Sequence, residues 1–407
     1  MPELADRFHA AVSAASGPGT SEVPRLVDAM LTTARQAGVS DIHLVPTATA
    51  FAMAWRIDGV LQPVSELPVT LAPRVVARLK VLAQLLTYRT DVPQEGRITA
   101  AAENPGDETR ISTFPTLFGE KAVVRLFVGA GRYQKLDDLG LPGAELARFR
   151  ELLDQTSGVV VIAGPAGSGK TTTAYAGLRD LADKSGGSRS LVSLEDPIEV
   201  VVPGVAQSQV NLPAGFDMPT GLRSLMRQDP EVILVGEIRD SKTAEVVFQA
   251  ALTGHLVLTT FHAASAAGAI NRLSEMGIEP YLLRSTVQGI LAQRLLRKLC
   301  GCAVPTDDVA ARCGLPVAKA FIPQGCENCL GTGYRGRFVL CELLVTQSSD
   351  VSRAILARSD ASELERLATT AGMVSQRRHA ASAVESGLTS AVEVWRALGR
   401  GEAVAPS

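Results

Sequence analysis

The octapeptide Gly164-Pro165-Ala166-Gly167-Ser168-Gly169-Lys170-Thr171 constrains the fold more than any other stretch of this chain. It fits G-x-x-x-x-G-K-[ST], follows an apolar run at 159–163 and precedes a segment, 171–181, that suits a helix. A strand, a glycine-rich loop and a helix in this order predict a phosphate-binding loop, because the loop N–H groups and the positive helix end face one anion. The alternative is a glycine-rich turn with a chance lysine, and the flanking strand and helix argue against it.

This loop predicts that the chain binds a nucleoside triphosphate. We expect Lys170 to reach the β- and γ-phosphates and the Thr171 hydroxyl to contact Mg²⁺. The predicted nucleotide-binding residues are Gly164, Pro165, Ala166, Gly167, Ser168, Gly169, Lys170, Thr171 and Thr172.

The region after about residue 137 alternates short apolar runs with helix-compatible segments. The predicted strands are 159–163, 191–194, Val232–Val235 and 256–260. They lack a polar–apolar alternation, which is typical of a parallel sheet covered on both faces. Ligands of such sheets lie at the carboxyl ends of the strands, so the residues that follow each strand are candidates for a site.

Acidic residues and a histidine follow three of these strands. Glu237 follows an apolar strand, and we expect it to activate the attacking water; the alternative is a carboxylate that caps the next helix. Glu195 is interpreted as a group that acts indirectly on Mg²⁺ or water, although Asp196-Pro197 is also an ordinary turn. His262 is the candidate sensor of the γ-phosphate, whereas His255 orients the strand.

The region before residue 130 has a different pattern. Residues 1–23 are small and polar and predict a flexible leader, and Gly129-Ala130-Gly131 predicts a hinge. Between them, helices from residue 24 to 38 and over 73–86, together with strands at 51–57, 60–64, 109–113 and 122–127, predict a small α+β domain.

Composition excludes several classes of protein. The 407 residues suffice for two or three domains, and a net charge of -2 gives no basic excess for wrapping nucleic acid. The apolar runs are too short for a membrane span, and the first ten residues lack the apolar region of a signal peptide. We therefore expect a cytoplasmic protein with peripheral membrane contact only.

All six cysteines lie between residues 300 and 341. Clustered cysteines in a reducing compartment predict a local metal site rather than a disulfide framework. The pair Cys326 and Cys329 has C-x-x-C spacing, and Cys300-Gly301-Cys302 is one residue shorter. Cys313 is a possible substitute ligand, Cys341 is expected in the core, and the alternative for the whole group is reduced structural thiols.

Together these motifs resemble the secretion ATPases of type II secretion and type IV pilus assembly. The resemblance covers about residues 24–400. In the core it rests on the phosphate-binding loop, Leu194-Glu195-Asp196-Pro197-Ile198-Glu199, Arg227-Gln228-Asp229-Pro230, Gly236-Glu237-Ile238-Arg239-Asp240, residues 253–262 and Leu291-Ala292-Gln293-Arg294-Leu295. In the first domain it rests on Ser40-Asp41-Ile42-His43, Arg56-Ile57-Asp58-Gly59, Gln94-Glu95-Gly96-Arg97 and Arg110-Ile111-Ser112-Thr113.

The resemblance implies an α/β fold, a RecA-like P-loop NTPase motor domain (137–299) preceded by a small α+β (PAS-like) domain (24–130). A cysteine-bearing region (300–345) and a helical C-terminal region (346–407) follow. It further implies a homohexamer that hydrolyses ATP with Mg²⁺, works with an inner-membrane platform protein and lies at the inner face of the cytoplasmic membrane. The extra N-terminal docking domain of many relatives is expected to be absent.

Roles for individual residues also come from the resemblance. Arg97 and Arg110 are implied to reach the γ-phosphate, with surface salt bridging as an equal alternative, whereas Arg125 and Arg239 are interpreted as salt-bridging residues. Extension-type members hold zinc with two C-x-x-C pairs, which implies Cys300, Cys302, Cys326 and Cys329 as ligands here.

Other functions remain open from sequence. A pilus-retraction motor is the nearest, and the cysteine region argues against it because such motors lack that region. A nucleotide-dependent regulator without hydrolysis would be expected to lack the acid at Glu237. A DNA-translocating ATPase is disfavoured by the acidic charge balance.

Overall fold

A computed structural model of the 407-residue chain describes residues 5–6, 8–10, 22–98, 109–126 and 133–400. The chain forms two compact units. The first unit comprises Met1–Ala130, Arg297–Val304 and Ile322–Gly336, and the second comprises Gly131–Leu296, Pro305–Phe321 and Arg337–Ser407. The region predicted at 300–345 is thus divided between the two units, and the predicted hinge lies outside the described residues.

The first unit is built on a six-stranded sheet in the order β3-β2-β1-β6-β5-β4, with antiparallel pairs throughout. Its strands are β1 (Val39–Pro46), β2 (Ala50–Ile57), β3 (Val60–Pro68), β4 (Gln94–Ile98), β5 (Thr109–Thr116) and β6 (Gly119–Leu126). Its helices are α1 (Glu22–Gln36) and α2 (Ala72–Leu82).

One face of this sheet is buried. Phe51, Met53 and Trp55 alternate along β2 and pack in one core with the apolar faces of α1 and α2. Phe8, in a short helical segment, is also fully buried and meets the Trp55 ring edge-on at 6.1 Å between centroids. We expected a flexible leader here; a large aromatic side chain instead anchors the described part of it to the core.

The second unit is built on a seven-stranded sheet in the order β15-β12-β7-β11-β10-β8-β9. Its strands are β7 (Gly158–Ala163), β8 (Leu191–Glu195), β9 (Ala206–Gln209), β10 (Val232–Val235), β11 (Leu256–Phe261), β12 (Val287–Leu299) and β15 (Tyr334–Val345), and a separate two-stranded sheet pairs β13 (Val304–Thr306) with β14 (Ala320–Ile322). The helices are α3 (Gly143–Leu153), α4 (Lys170–Ser185), α5 (Met218–Leu225), α6 (Ser241–Leu252), α7 (Ala266–Glu275), α8 (Pro280–Thr286), α9 (Ser349–Leu356), α10 (Ala361–Thr370), α11 (Gln376–Glu385) and α12 (Ala391–Leu398).

Both faces of the central strands are covered. Val159 and Val161 of β7 pack into one apolar cluster, while Val160 and Ile162 pack into another on the opposite face. The pairs from β12 through β9 are parallel. This explains why the four strands predicted from sequence read as continuous apolar runs.

Several strands were not foreseen from the sequence, among them β1, β4 and β12. β1 and β4 are interrupted by polar residues, and β12 carries Gln293 and Arg294 in its middle. Each of these strands is held by pairing with its neighbours in the sheet rather than by its own apolar pattern, which is why local periodicity missed it.

Candidate functional site

The glycine-rich loop connects β7 to α4 in the second unit. Gly164 has φ 157°, and a Cβ there would lie 2.3 Å from Ser168 Oγ and 2.6 Å from the Gln293 carbonyl oxygen. Gly169 caps the N-terminus of α4 with φ 88°. These positions therefore require glycine, and the resulting turn directs the first N–H groups of the helix into the loop.

Lys170 lies inside this loop. Its Nζ donates hydrogen bonds to the carbonyl oxygens of Gly164 and Pro165, both at 3.0 Å. Burial lowers the pKa of Lys170, and the Glu237 charge partly opposes this effect. Ser168 Oγ is buried and finds no hydrogen-bond partner in the part of the chain that the structure describes. The loop thus holds an ammonium and a hydroxyl in positions that suit an anionic ligand.

Gln293 of β12 ties the loop to its helix, a role that the sequence reasoning did not assign. Thr173 Oγ1 donates to Gln293 Oε1 at 3.0 Å, and Gln293 Nε2 donates to the Ser168 carbonyl oxygen at 2.7 Å. Gln293 is fully buried. The only signal for it in the sequence was its place in the segment 291–295, which contributed to the family resemblance.

Glu237 follows β10 and is flanked by two side chains. His262, which follows β11, places Nε2 2.8 Å from Glu237 Oε1. On the other side, Arg239 Nε donates to Glu237 Oε2 at 3.1 Å. Burial and the Lys170 cation lower the pKa of His262, so a neutral imidazole that donates its Nε2 proton to Glu237 is the form expected near neutral pH.

Glu195, at the end of β8, is buried, and both of its carboxylate oxygens accept hydrogen bonds. Its carboxylate accepts hydrogen bonds from Tyr175, from Ser193 Oγ at 2.6 Å and from Gln207 Nε2 at 3.1 Å. Burial and the bond to Glu195 raise the pKa of Tyr175. This carboxylate is thus held in one orientation, which favours the indirect role expected for it; Tyr175 as its partner was not foreseen.

These groups line one cavity of about 500 Å³ within the second unit. Its lining includes Ala166, Lys170, Thr171, Glu195, Asp196, Glu237, Arg239 and His262. The carboxyl ends of β7, β8, β10 and β11 therefore bring together the predicted loop, both acids and the predicted histidine. His255 lies at the opposite end of β11, where its Nδ1 is 2.9 Å from the Ala250 carbonyl oxygen.

Arg97 and Arg110 belong to the first unit. They lie directly opposite each other on β4 and β5, so both project from the sheet face opposite the apolar core. Arg125 on β6 continues this row and pairs with Asp41, Nε to Oδ1, at 3.0 Å. The salt bridge expected for Arg125 is therefore present, and Arg239 likewise forms ion pairs.

Four cysteines come together in the first unit. The Sγ atoms of Cys300, Cys302, Cys326 and Cys329 all lie within 4.8 Å of one another. Three pairs are separated by 3.7 to 3.9 Å. Zn–S bonds of about 2.3 Å in a tetrahedron place sulfurs about 3.8 Å apart, so the group fits zinc.

The environment of Cys329 favours a metal-binding thiolate. Burial opposes ionisation, but the N–H groups of Cys326 and Gly333 donate to its Sγ at 3.1 and 3.2 Å and lower its pKa to about 7. Cys313 belongs to the second unit and is not part of the cluster, so the structure gives it no role as a substitute ligand. Cys341 is fully buried in the second unit, as expected.

The fold and site can be compared with known proteins. The family model described as Type II/IV secretion system protein matches residues 18–396. The chain belongs to this family. The predicted resemblance, the P-loop α/β fold and the assignment as an ATP hydrolase are thereby confirmed.

Two relatives illustrate the range of the family. Type II secretion system protein E of Aeromonas hydrophila is 40% identical over 379 residues, which span 91% of this chain and 75% of the relative. The type IV pilus assembly ATPase PilB of Thermus thermophilus is 39% identical over 364 residues, 87% of this chain and 40% of the relative. This chain thus spans less than half of the length of the PilB relative.

Solved structures support the fold. The ATPase DotB of Yersinia pseudotuberculosis superposes with a TM-score of 0.67 at 21% identity, covering 94% of this chain and 95% of that one. The pilus retraction motor PilT with bound ADP superposes with a TM-score of 0.53 at 22% identity, covering 86% of this chain and 95% of that one.

Among the described residues, no helix has the length and apolar character needed to cross a bilayer.

Proposed function

We propose that this secretion ATPase is a homohexameric motor that hydrolyses ATP to drive assembly of a pilus or pseudopilus, and hence protein export. The observation that carries the proposal is the cavity in which the phosphate-binding loop, Glu237 and His262 meet. The Aeromonas hydrophila and Thermus thermophilus relatives are named for type II secretion and type IV pilus assembly, and this supports the choice of apparatus.

In the proposed mechanism, the triphosphate enters the loop and Lys170 exchanges its bonds to the Gly164 and Pro165 carbonyls for β- and γ-phosphate oxygens. Ser168 Oγ, which is buried without a partner among the described residues, gains an acceptor. Thr171 would hold Mg²⁺, which neutralises phosphate charge when bound. Glu237 takes a proton from the attacking water, the water oxygen bonds to the γ-phosphorus, and the bond to the β–γ bridging oxygen breaks.

The remaining polar groups position these participants. Neutral His262 donates its single N–H to Glu237 and would sense the γ-phosphate through that carboxylate. Glu195, held by hydrogen bonds from Tyr175 and Ser193, would act indirectly on Mg²⁺ or water. Arg97 and Arg110 are proposed to stabilise the charge of the γ-phosphate. Their support is that they are cross-strand neighbours on the polar sheet face, where two planar guanidinium groups can be offered to one anion.

We further propose that the four-cysteine cluster holds one structural Zn²⁺. The sulfur separations and the N–H groups that donate to Cys329 support this assignment. The cluster also favours an extension or secretion motor over a retraction motor. A polytopic inner-membrane platform protein is the proposed partner, with the hexamer bound peripherally at the cytoplasmic face.

The proposal is tested by ATP hydrolysis and ATP binding in the purified chain with Mg²⁺. Wild type should hydrolyse ATP and have the mass of six chains, and Lys170→Ala should lose nucleotide binding. Glu237→Gln should bind ATP with wild-type affinity while turnover falls by about 10²- to 10⁴-fold. Turnover retained in Glu237→Gln would refute the assigned base, and wild type that binds ATP without hydrolysing it would favour the regulator.

A further inference from the structure

We infer that the outer edge of β15 binds an extended, basic peptide segment of the proposed platform protein. The inference rests on the proposed function, because it names the surface at which that partner would bind. β15 lies at one side of the seven-stranded sheet, so one of its edges has no neighbouring strand in the part of the chain that the structure describes. An open edge of this kind presents N–H and C=O groups to which another strand can be added.

Hydrogen bonds near the end of β15 indicate which residues face the open edge. The Thr346 N–H donates to a carbonyl of β12 at 3.4 Å, whereas the Cys341 carbonyl accepts from His379 Nδ1 of α11 at 2.9 Å. Because successive residues of a strand direct their backbone groups to opposite edges, Leu343 and Val345 face outward together with Cys341. Among the described residues, no backbone partner outside the sheet reaches Leu343 or Val345.

A groove of about 560 Å³ lies at this edge, and its lining comes entirely from the second unit. Residues of α3 and β15 line it together with the end of α10 and the loop that follows α10. Leu343 packs into the apolar cluster on the α3 face of the sheet, whereas Ala368 and Met373 pack into the cluster on the opposite face. A strand added to β15 would therefore find apolar side chains on both of its faces.

The groove also carries a buried acid. Glu145, in the first turn of α3, lines it with a side chain that is only 10% exposed. Glu145 Oε1 lies 3.3 Å from His379 Nε2, but His379 donates its Nδ1 proton to the Cys341 carbonyl. A neutral imidazole then has no second proton for Glu145, so a basic side chain of the occupant would supply a donor. Arg148, which also lines the groove, is 57% exposed and lies 3.7 Å from Glu151.

An extended segment with alternating apolar and basic residues matches these three features, namely the open edge, the apolar lining and Glu145. Cytoplasmic segments of inner-membrane proteins carry an excess of Lys and Arg. The platform protein is thus a source of such segments, whereas Glu145 would repel an acidic one. Main-chain hydrogen bonds to β15 would provide affinity, and the basic residue beside Glu145 would provide specificity.

The test is fluorescence anisotropy of the purified full chain with labelled heptapeptides. The lysine probe, Thr-Val-Lys-Val-Lys-Val-Thr, places its valines and lysines on opposite faces of a strand and should show saturable binding. The glutamate probe, with Glu in place of both Lys residues, should bind about tenfold more weakly or worse, because it meets Glu145. N-methylation of the lysine probe at one alternate set of backbone nitrogens should abolish binding, and methylation of the other set should not, since only one edge of an added strand faces β15.

Two variants locate the binding to the groove. Glu145→Gln should remove the preference for the lysine probe, and Glu151→Gln, at an exposed position of the same helix, is the matched control that should keep it. Ala371→Arg, at an exposed position in the lining, adds a positive charge and should weaken binding of the lysine probe by about tenfold without changing the melting temperature.

No binding of the lysine probe, equal binding of the two probes, or the same response to both sets of N-methyl groups would overturn the inference. Wild-type binding in Ala371→Arg would overturn it as well. Loss of the six-chain mass in Ala371→Arg would also overturn it, since that result indicates that a second copy of this chain occupies the groove. Wild type without ATPase activity would instead be a failure of the proposed function itself.

Discussion

Gln293 shows how a single buried amide can decide the shape of a nucleotide loop. Its oxygen and nitrogen each make one hydrogen bond, to Thr173 of the helix and to Ser168 of the loop. The partners are 120 and 125 residues away in sequence. Local patterns identified the loop, the acid after β10 and the histidine after β11, but a contact over this distance leaves no local signal.

We expect Gln293→Leu to lower both stability and ATP affinity. The substitution leaves the Thr173 hydroxyl and the Ser168 carbonyl buried without their partner, at about 1–3 kcal/mol each. Chemical denaturation and titration with a fluorescent ATP analogue measure the two effects. Thr173→Val, which removes only one of the bonds, should cost about half as much. Wild-type stability in Gln293→Leu would show that the two bonds do not hold the loop.

Glu342 connects two helices to a strand through hydrogen bonds, much as Gln293 connects the loop to its helix. On β15, its Oε1 accepts from the Ala266 N–H at 2.8 Å and its Oε2 from the Gln376 N–H at 3.1 Å. These N–H groups open α7 and α11, where helices have unpaired donors. One carboxylate thus joins two helices to a strand. Because this carboxylate is buried, its pKa is raised above the ordinary 4.5.

Glu342→Gln should remove the contribution that protonation of this carboxyl makes to stability, because an amide does not titrate in this range. The effect should depend on pH. With its raised pKa the native carboxyl binds a proton more tightly than the unfolded one, so its contribution is fullest below 4.5 and falls as pH rises towards the raised value.

The measurement is the free energy of unfolding of wild type and Glu342→Gln across this pH range. The difference between the two should shrink as pH increases. Glu275→Gln, at an exposed position at the end of α7, is the control and should show no such trend. A difference that grows with pH would contradict the assigned direction of the Glu342 pKa.

The two units are not consecutive in sequence, because the first unit also contains segments from late in the chain. The first unit includes two segments that follow Gly131–Leu296 of the second unit in sequence, namely Arg297–Val304 and Ile322–Gly336. All four clustered cysteines lie in these two segments. Leu330, which directly follows Cys329, packs against the apolar core of the first unit. A metal at the cluster would therefore join these two late segments to each other.

We expect one zinc per chain in protein purified without chelators. Cys326→Ser should lose the metal and lower the thermal stability, because a structural zinc site contributes directly to folding. Elemental analysis and thermal unfolding test this. Cys313→Ser, outside the cluster, should retain the metal. Full zinc occupancy in Cys326→Ser, or none in wild type, would contradict the assignment.

The division into units was only partly accessible from sequence. Apolar runs and turn residues marked the strands of both sheets where a strand is covered on both faces or alternates cleanly, as in β7 and β2. They could not show that the cysteine-bearing segments belong with the first unit, since that depends on packing between distant parts of the chain. The same holds for β12, whose polar residues serve the site rather than the core.

The central claim is that Glu237 is the base in a cavity that otherwise binds ATP normally. Its most direct test is a single turnover of radiolabelled ATP, prebound to Glu237→Gln and started with Mg²⁺. The γ-phosphate should stay attached, with release slowed by about 10²- to 10⁴-fold relative to wild type. Release of phosphate at the wild-type rate would show that Glu237 does not activate the attacking water.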